Sequence, residues 1–216
     1  MGEEERCRTD PLHWLQNWTE TFDEKWREKG LPSPYRPFPT KPYFPFLFQA
    51  FQTSRRLFVP KSRDLMISWA AVGYAAWKCQ FFERQHCIVQ AQKEGKVAEL
   101  IKGTGNLGYA ATLYVRQPDW LKQLHPLLKP LEENPATMMS WANGSTLRGL
   151  PQGADQIRMF HPNVYIADEA AYIEDFEAAY GAADPVAAQI ISISSAAPSW
   201  FGDVCTRIME QGEENC

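Results

Sequence analysis

The feature that most constrains the fold is a series of short apolar segments that alternate with helical patterns. These segments occupy residues 56–61 (RLFVPK), 86–91 (HCIVQA), 163–167 (NVYIA) and 189–195 (QIISISS). Strands that are apolar on both faces are typical of a parallel sheet covered by helices on each side. The sequence therefore predicts an α/β fold with a mainly parallel central sheet.

Helical patterns and one hairpin fill the intervals between these strands. Helices are expected over residues 66–84, 93–102, 119–128 and 169–180. Residues 137–147 are expected to form a hairpin that turns at Asn143 and Gly144.

The N-terminal part of the chain differs in character from the rest. A polar helix is expected over residues 11–29, because aromatic side chains recur there at helical spacing and Pro11 follows a capping Asp10. Residues 31–45 contain six prolines and are expected to form a linker without regular structure. We therefore divide the chain into residues 1–45, an N-terminal helical arm with its linker, and residues 46–216, the main domain.

Composition narrows the class of protein. Of the 216 residues, 44% are hydrophobic and 22% are charged, which are values typical of a globular chain. The net charge of −4 excludes a polycation that coats nucleic acid. Five cysteines without a Cys-x-x-Cys pair argue against a disulfide framework or a zinc ribbon. No apolar run reaches the roughly 18 residues that cross a bilayer, and the run over residues 66–77 indicates a buried helix.

The segment most informative about chemistry is residues 58–69 (FVPKSRDLMISW), in which a predicted strand leads through a short loop into a helix. Backbone N–H groups at such a helix start bind phosphate oxygens. A lysine usually neutralises charge there, and a Ser or Thr hydroxyl binds Mg²⁺. The standard pattern G-x-x-x-x-G-K-[ST] is not met, because Met66 stands at its second glycine and Ile67 at its lysine.

A second segment, residues 164–172 (VYIADEAAY), ends an apolar strand with Asp168 and Glu169. Two carboxylates at the carboxyl end of a parallel strand lie where ligands bind in such sheets. Their alternative role is to cap a helix. Basic residues surround the loop, whereas residues 164–185 contain six acids and no base. Together with a third strand that runs into Ser194 and Ser195, the two segments favour a nucleotide site.

These residues carry a resemblance to the large subunits of phage terminases, the DNA-packaging ATPases. Lys61, Arg63 and Ser68 match the family's variant phosphate loop in order and spacing, whereas Met66 departs from its usual glycine. The pair Arg158-Met159 stands where many members have Arg-Gly. Residues 194–196 (Ser194, Ser195 and Ala196) are similar to the family's coupling motif. The resemblance spans residues from about 45 to 205 and implies a P-loop NTPase of the ASCE type.

The resemblance also implies roles for individual residues. Lys61 would contact phosphates, Ser68 would bind Mg²⁺ directly and Asp168 would bind it through its shell. Glu169 would be the catalytic carboxylate, and Arg63 would either stabilise transition-state charge or hold the loop in shape. Gln49 and Gln52 are candidates for the adenine region. The phosphate-binding loop as a whole would comprise Lys61, Ser62, Arg63, Asp64, Leu65, Met66, Ile67, Ser68 and Trp69.

The activity implied is hydrolysis of ATP with Mg²⁺ to drive double-stranded DNA into a procapsid in the host cytoplasm. The partners implied are the DNA, the portal protein and the terminase small subunit, with the chain in a ring on the procapsid or monomeric in isolation. We expect no nuclease activity in this chain. Two alternatives stay open: another P-loop motor such as a helicase, and a non-hydrolysing nucleotide-binding or structural module, which Met66 and Ile67 favour.

Overall fold

Strands and helices alternate along most of the chain in the computed structural model, which describes residues 2–153 and 156–211. The helices are α1 (Glu3–Thr9), α2 (Pro11–Trp18), α3 (Phe44–Thr53), α4 (Ile67–Phe81), α5 (Glu94–Leu100), α6 (Tyr109–Val115), α7 (Asp119–Leu124), α8 (Phe176–Ala183) and α9 (Trp200–Gln211). The strands are β1 (Glu20–Phe22), β2 (Tyr35–Pro37), β3 (Arg56–Lys61), β4 (His86–Ala91), β5 (Met138–Ser140), β6 (Thr146–Pro151), β7 (Val164–Asp168) and β8 (Gln189–Ser195).

Six of these strands form the central sheet of the described chain, in the order β3-β8-β7-β4-β6-β5. All neighbours are parallel except β5, which runs antiparallel to β6. Strand β8 lies between β3 and β7, so that Lys61 pairs with Ser195 and Asp168 pairs with Ile193. The predicted α/β class with a mainly parallel sheet is confirmed, and three predicted site segments end at the same edge of the sheet.

Helices cover both faces of the sheet and explain why its strands are apolar throughout. Alternate residues of one strand contribute to opposite cores, since Ile191 joins the α4 side and Ile190 joins the α8–α9 side. Helix α4 is buried along almost its whole length, which confirms that the apolar run over residues 66–77 is a core helix. Among the described residues, no helix has the length and hydropathy required to span a membrane.

The predicted helix over residues 11–29 is wrong beyond Trp18. Thr19 is extended, and residues 20–22 pair antiparallel with residues 35–37 as a two-stranded ribbon. Arg116 holds this ribbon through an ion pair with Glu20 and by stacking 4.5 Å from the centre of the Tyr35 ring. Contacts with Arg116 at the end of α6 therefore favour an extended backbone here, although the aromatic residues recur at helical spacing.

The proline-rich segment 31–45 is more regular than predicted. It contains β2, whose Pro37 ends an edge strand, and it leads into α3, whose Pro45 lies in the first turn. Both positions suit proline, because neither needs a backbone N–H. Helices α1 and α6 were also not predicted.

The helix predicted over residues 169–180 is interrupted. Glu169 and Asp175 both have left-handed backbones, with φ of 55° and 52°, so a short 3₁₀ turn precedes α8. The predicted hairpin is confirmed as the β5–β6 pair, with Gly144 at φ 84° in its turn. The side-chain amide of Asn143 also donates to the Cys79, Gln80 and Phe82 carbonyls at the end of α4.

Strand β6 approaches helix α5 closely at Gly149. A Cβ at this position would lie 2.0 Å from Val97 Cγ1 and 3.2 Å from Ile101 Cγ1. The missing side chain therefore fixes how near α5 packs to the sheet.

We expect Gly149→Ala to lower the free energy of unfolding by about 1–3 kcal/mol, because the added methyl group overpacks this contact. Gly181→Ala is the matched control, since a Cβ there meets nothing within 4 Å and the residue lies inside α8. That change should raise stability by about 0.5–1 kcal/mol. Urea denaturation of both variants measures the difference, and equal midpoints would contradict the close packing of α5 on β6.

Candidate functional site

The loop between β3 and α4 leads into a helix start that has no side-chain cap. Asp64 and Met66 both have left-handed backbones, with φ of 61° and 58°. Met66 is the N-cap of α4, and its side chain has no oxygen to accept from the first-turn N–H groups. The hydroxyl of Tyr43 donates to the Leu65 carbonyl at 2.7 Å and braces the loop from α3. A loop of this shape at a helix start is suited to bind an anion.

The acidic pair lies beside this loop, across strand β8. Ser68, in the first turn of α4, donates a hydrogen bond from Oγ to Asp168 Oδ1 at 2.6 Å. Lys61, at the end of β3, has its Nζ 2.9 Å from Glu169 Oε1, and only 9% of its side chain is exposed. The structure thus brings together four predicted site residues from segments about 100 positions apart in sequence.

The end of β8 contacts the same carboxylate. The Ser195 backbone N–H and hydroxyl lie 3.5 and 3.3 Å from Glu169 Oε2, and the Ser194 hydroxyl lies 3.5 Å from it. Ser194 Oγ also accepts the N–H of Ala171 at 3.1 Å. Ala196 follows the strand and is exposed. The two serines therefore orient Glu169 from the strand between the loop and the acids.

The two neighbouring acids have opposite electrostatic environments. Burial raises the pKa of Asp168, and the Glu169 charge adds to this, while the Ser68 hydrogen bond and the Lys61 charge partly offset it. Burial also acts to raise the pKa of Glu169, but the Lys61 ion pair and the Ser195 contacts outweigh it, so that the pKa lies below its ordinary value. Glu169 is therefore ionised at neutral pH.

The chemistry of Ser68 and Asp168 fits a magnesium ion. A hydroxyl and a carboxylate are hard oxygen ligands, which Mg²⁺ prefers, and few protein ligands are typical when phosphates supply the rest. Asp168 is 2% exposed at the base of the site, so an ion bound beside it would lie between the sheet edge and the loop.

A cavity of about 1170 Å³ opens beside the loop. Lys61, Asp64 and residues 65–69 form one wall. A second wall comes from the β1–β2 ribbon and the turn after it, and a third from residues 103–108. Neither of these walls was predicted from the sequence, although residues 103–108 form a glycine-rich stretch, GTGNLG. Gly103, at φ 88°, could not carry a Cβ, which would lie 2.0 Å from the Asn106 carbonyl oxygen.

The remaining predicted residues differ in their positions. Gln49 and Gln52 are exposed on α3, and neither is among the described residues that line the cavity. Ser62 and Arg63 are exposed on the loop. Trp69 instead faces inward and stacks on Tyr109, with ring centroids 4.0 Å apart and planes within 8°.

The two acids lead to opposite expectations for stability. Because its pKa is raised, the Asp168 charge opposes folding above the ordinary aspartate value of about 3.9. Asp168→Asn should therefore raise the melting temperature at neutral pH, with a gain that shrinks as the pH falls. The ionised Glu169, whose pKa is lowered, stabilises the fold above the ordinary value of about 4.3.

Glu169→Gln should accordingly lower the melting temperature at neutral pH, and this loss should fade as the pH falls through the lowered pKa. Thermal melts of both variants across a pH series measure the two signs. Shifts of the same sign in both variants at neutral pH would contradict the electrostatic difference between the acids.

Comparison with known proteins identifies similar folds. The HK97 bacteriophage large terminase matches with a TM-score of 0.59 at 11% identity, over 90% of this chain and 38% of that one. Two structures of the large terminase ATPase domain of Thermus phage P74-26 match at 18% and 19% identity, with TM-scores of 0.49 and 0.46. Each covers 84% of this chain, which spans 72% and 73% of theirs respectively. No protein-family model and no curated protein matches the sequence. Over nine tenths of its length, the chain therefore shares the fold of part of a phage large terminase.

Proposed function

We propose that this chain is the ATPase domain of a DNA-packaging motor, which hydrolyses ATP with Mg²⁺ to move double-stranded DNA into a procapsid. The observation that carries the proposal is the pair of contacts Lys61–Glu169 and Ser68–Asp168, which join a phosphate-type loop to two acids across one strand. Residues 46–216 supply these groups, and residues 1–45 add the ribbon wall of the cavity.

The first step is binding of the nucleotide phosphates. The N–H groups at the start of α4 and the positive end of its dipole bind phosphate oxygens. Lys61 supplies the positive side chain, since Ile67 occupies the usual lysine position and is only 5% exposed. Met66 adopts the left-handed backbone usual for glycine at a cost of about 1–2 kcal/mol, and its side chain packs partly against the core.

Ser68 and Asp168 are the residues that hold Mg²⁺ in this proposal. When bound there, the ion neutralises charge on the phosphate oxygens. Asp168 can remain charged beside an ion although it is buried, because the ion and the Ser68 hydroxyl replace the water that burial removes.

Glu169 carries out the hydrolytic step. Its ionised carboxylate accepts a hydrogen bond from a water molecule and polarises it for attack on the terminal phosphorus, and the bond to the ADP oxygen breaks. Ser194 and Ser195 keep the carboxylate oriented, and as the coupling segment they would pass a change at Glu169 along β8.

The motor role rests on the resemblance of the loop, the acidic pair and the coupling segment to those of terminase large subunits. It implies that the chain acts on DNA at the portal in the host cytoplasm, with the small subunit and neighbouring copies in a ring. The second candidate is a non-hydrolysing nucleotide-binding module, which the buried Ile67 favours. Turnover of ATP distinguishes the two.

We expect Glu169→Gln to lower the ATP hydrolysis rate by about 10²–10⁴-fold while nucleotide binding is retained, because the change keeps the side-chain shape and removes the charge that polarises water. Glu177→Gln, an exposed acid in the first turn of α8, is the matched control and should hydrolyse ATP at the parental rate. Release of inorganic phosphate measures both. A parental rate in Glu169→Gln would leave this residue with a structural role only.

We expect Lys61→Ala to weaken ATP binding by about 10–100-fold, the value of a hydrogen bond to a charged group. Ser68→Ala should weaken the dependence of binding on Mg²⁺. Arg55→Ala removes an exposed cation next to β3 at the opposite end of the strand and should leave the affinity unchanged. Calorimetric titration with and without Mg²⁺ measures each variant, and unchanged binding in both site variants would refute the site.

A further inference from the structure

The loop of the proposed triphosphate site carries two cations, Lys61 and the exposed Arg63. Ile67 replaces the usual lysine, and Lys61 is engaged with Glu169 at 2.9 Å. A nucleoside triphosphate stays negatively charged even with one Mg²⁺ bound. A further positive group facing the same cavity would therefore strengthen binding.

Lys96 is such a group and comes from a different element. It lies on α5 and lines the cavity together with Lys61 and Ser68. Its Nζ is 2.8 Å from Glu99 Oε1, and both side chains are 40% exposed. An ion pair this exposed contributes little stability, so the ammonium can exchange its partner readily.

Aromatic contacts fix Lys96 relative to the phosphate loop. Glu99 accepts a hydrogen bond from the Tyr109 hydroxyl at 3.2 Å, and Lys96 Nζ lies 5.8 Å from the centre of the Tyr109 ring. Tyr109 stacks on Trp69, which directly follows Ser68 in the first turn of α4. A continuous series of contacts thus runs from the metal-binding serine to the lysine.

We propose that Lys96 is a substrate-binding residue that contacts the polyphosphate tail of the nucleotide from α5, in addition to Lys61 from β3. This inference rests on the proposed function and adds a residue that the loop motif does not contain. On binding, the Lys96 ammonium exchanges the Glu99 carboxylate for a phosphate oxygen, while Glu99 keeps its hydrogen bond from Tyr109.

The test compares Lys96→Met with Lys93→Met, in the full chain. Lys93 is exposed at the N-cap of α5 and is not among the described residues that line the cavity. Titration with ATP, ADP and AMP in the presence of Mg²⁺ gives the three affinities. We expect Lys96→Met to weaken ATP binding by about 10–100-fold and AMP binding little, Lys93→Met to change neither, and Lys96→Arg to restore most of the ATP affinity.

The outcomes separate this inference from the proposed function. Absence of nucleotide binding by the parental chain overturns both. Binding that Lys61→Ala weakens and Lys96→Met leaves unchanged overturns only the role of Lys96. Equal weakening of ATP, ADP and AMP binding by Lys96→Met, with a lowered melting temperature, would show that the residue only supports the cavity wall and would also overturn it.

Discussion

The hydrogen bond from Ser68 to Asp168 joins the first turn of α4 to the end of β7, two sites that lie 100 positions apart in sequence. It forms only because β8 lies between β3 and β7, which places three strand ends at one edge of the sheet. Asp168 is almost fully buried there, and such a carboxylate is unfavourable without partners. The positions of the loop, the acidic pair and the serines of β8 all follow from this one arrangement.

Charge is distributed unusually around this site. The position next to Ser68 is occupied by Ile67, which belongs to the core rather than to the site. Its burial anchors the start of α4 in the apolar layer, and the positive charge comes from the end of β3 instead. Lys61 can supply this charge because its side chain is nearly buried and its ammonium group forms an ion pair with Glu169.

The N-terminal residues take part in the site rather than forming a separate appendage. Cys7, Trp14 and Leu15 are fully buried in the same core as α4, and the Trp77 indole donates to the Cys7 carbonyl. The β1–β2 ribbon then forms one wall of the cavity, and the glycine-rich loop at residues 103–108 forms another. A ligand in this cavity would thus contact the ribbon, the β3–α4 loop and residues 103–108, which lie far apart in sequence and belong to no single motif.

The sequence alone determined the α/β class and the four main parallel strands, because apolar residues on both strand faces require helices on both sides of a sheet. It also identified the groups that meet at the sheet edge, since Lys61, Ser68, Asp168 and Glu169 each end a strand or begin a helix. It did not determine the ribbon at residues 20–37 or the break after Glu169. The ribbon depends on strand pairing and on the Arg116 contacts, and the break depends on the left-handed backbones of Glu169 and Asp175. None of these features produces a periodicity in the local sequence. The cavity walls and the place of Lys96 also depended on tertiary packing, because Gly149 sets how closely α5 approaches the sheet.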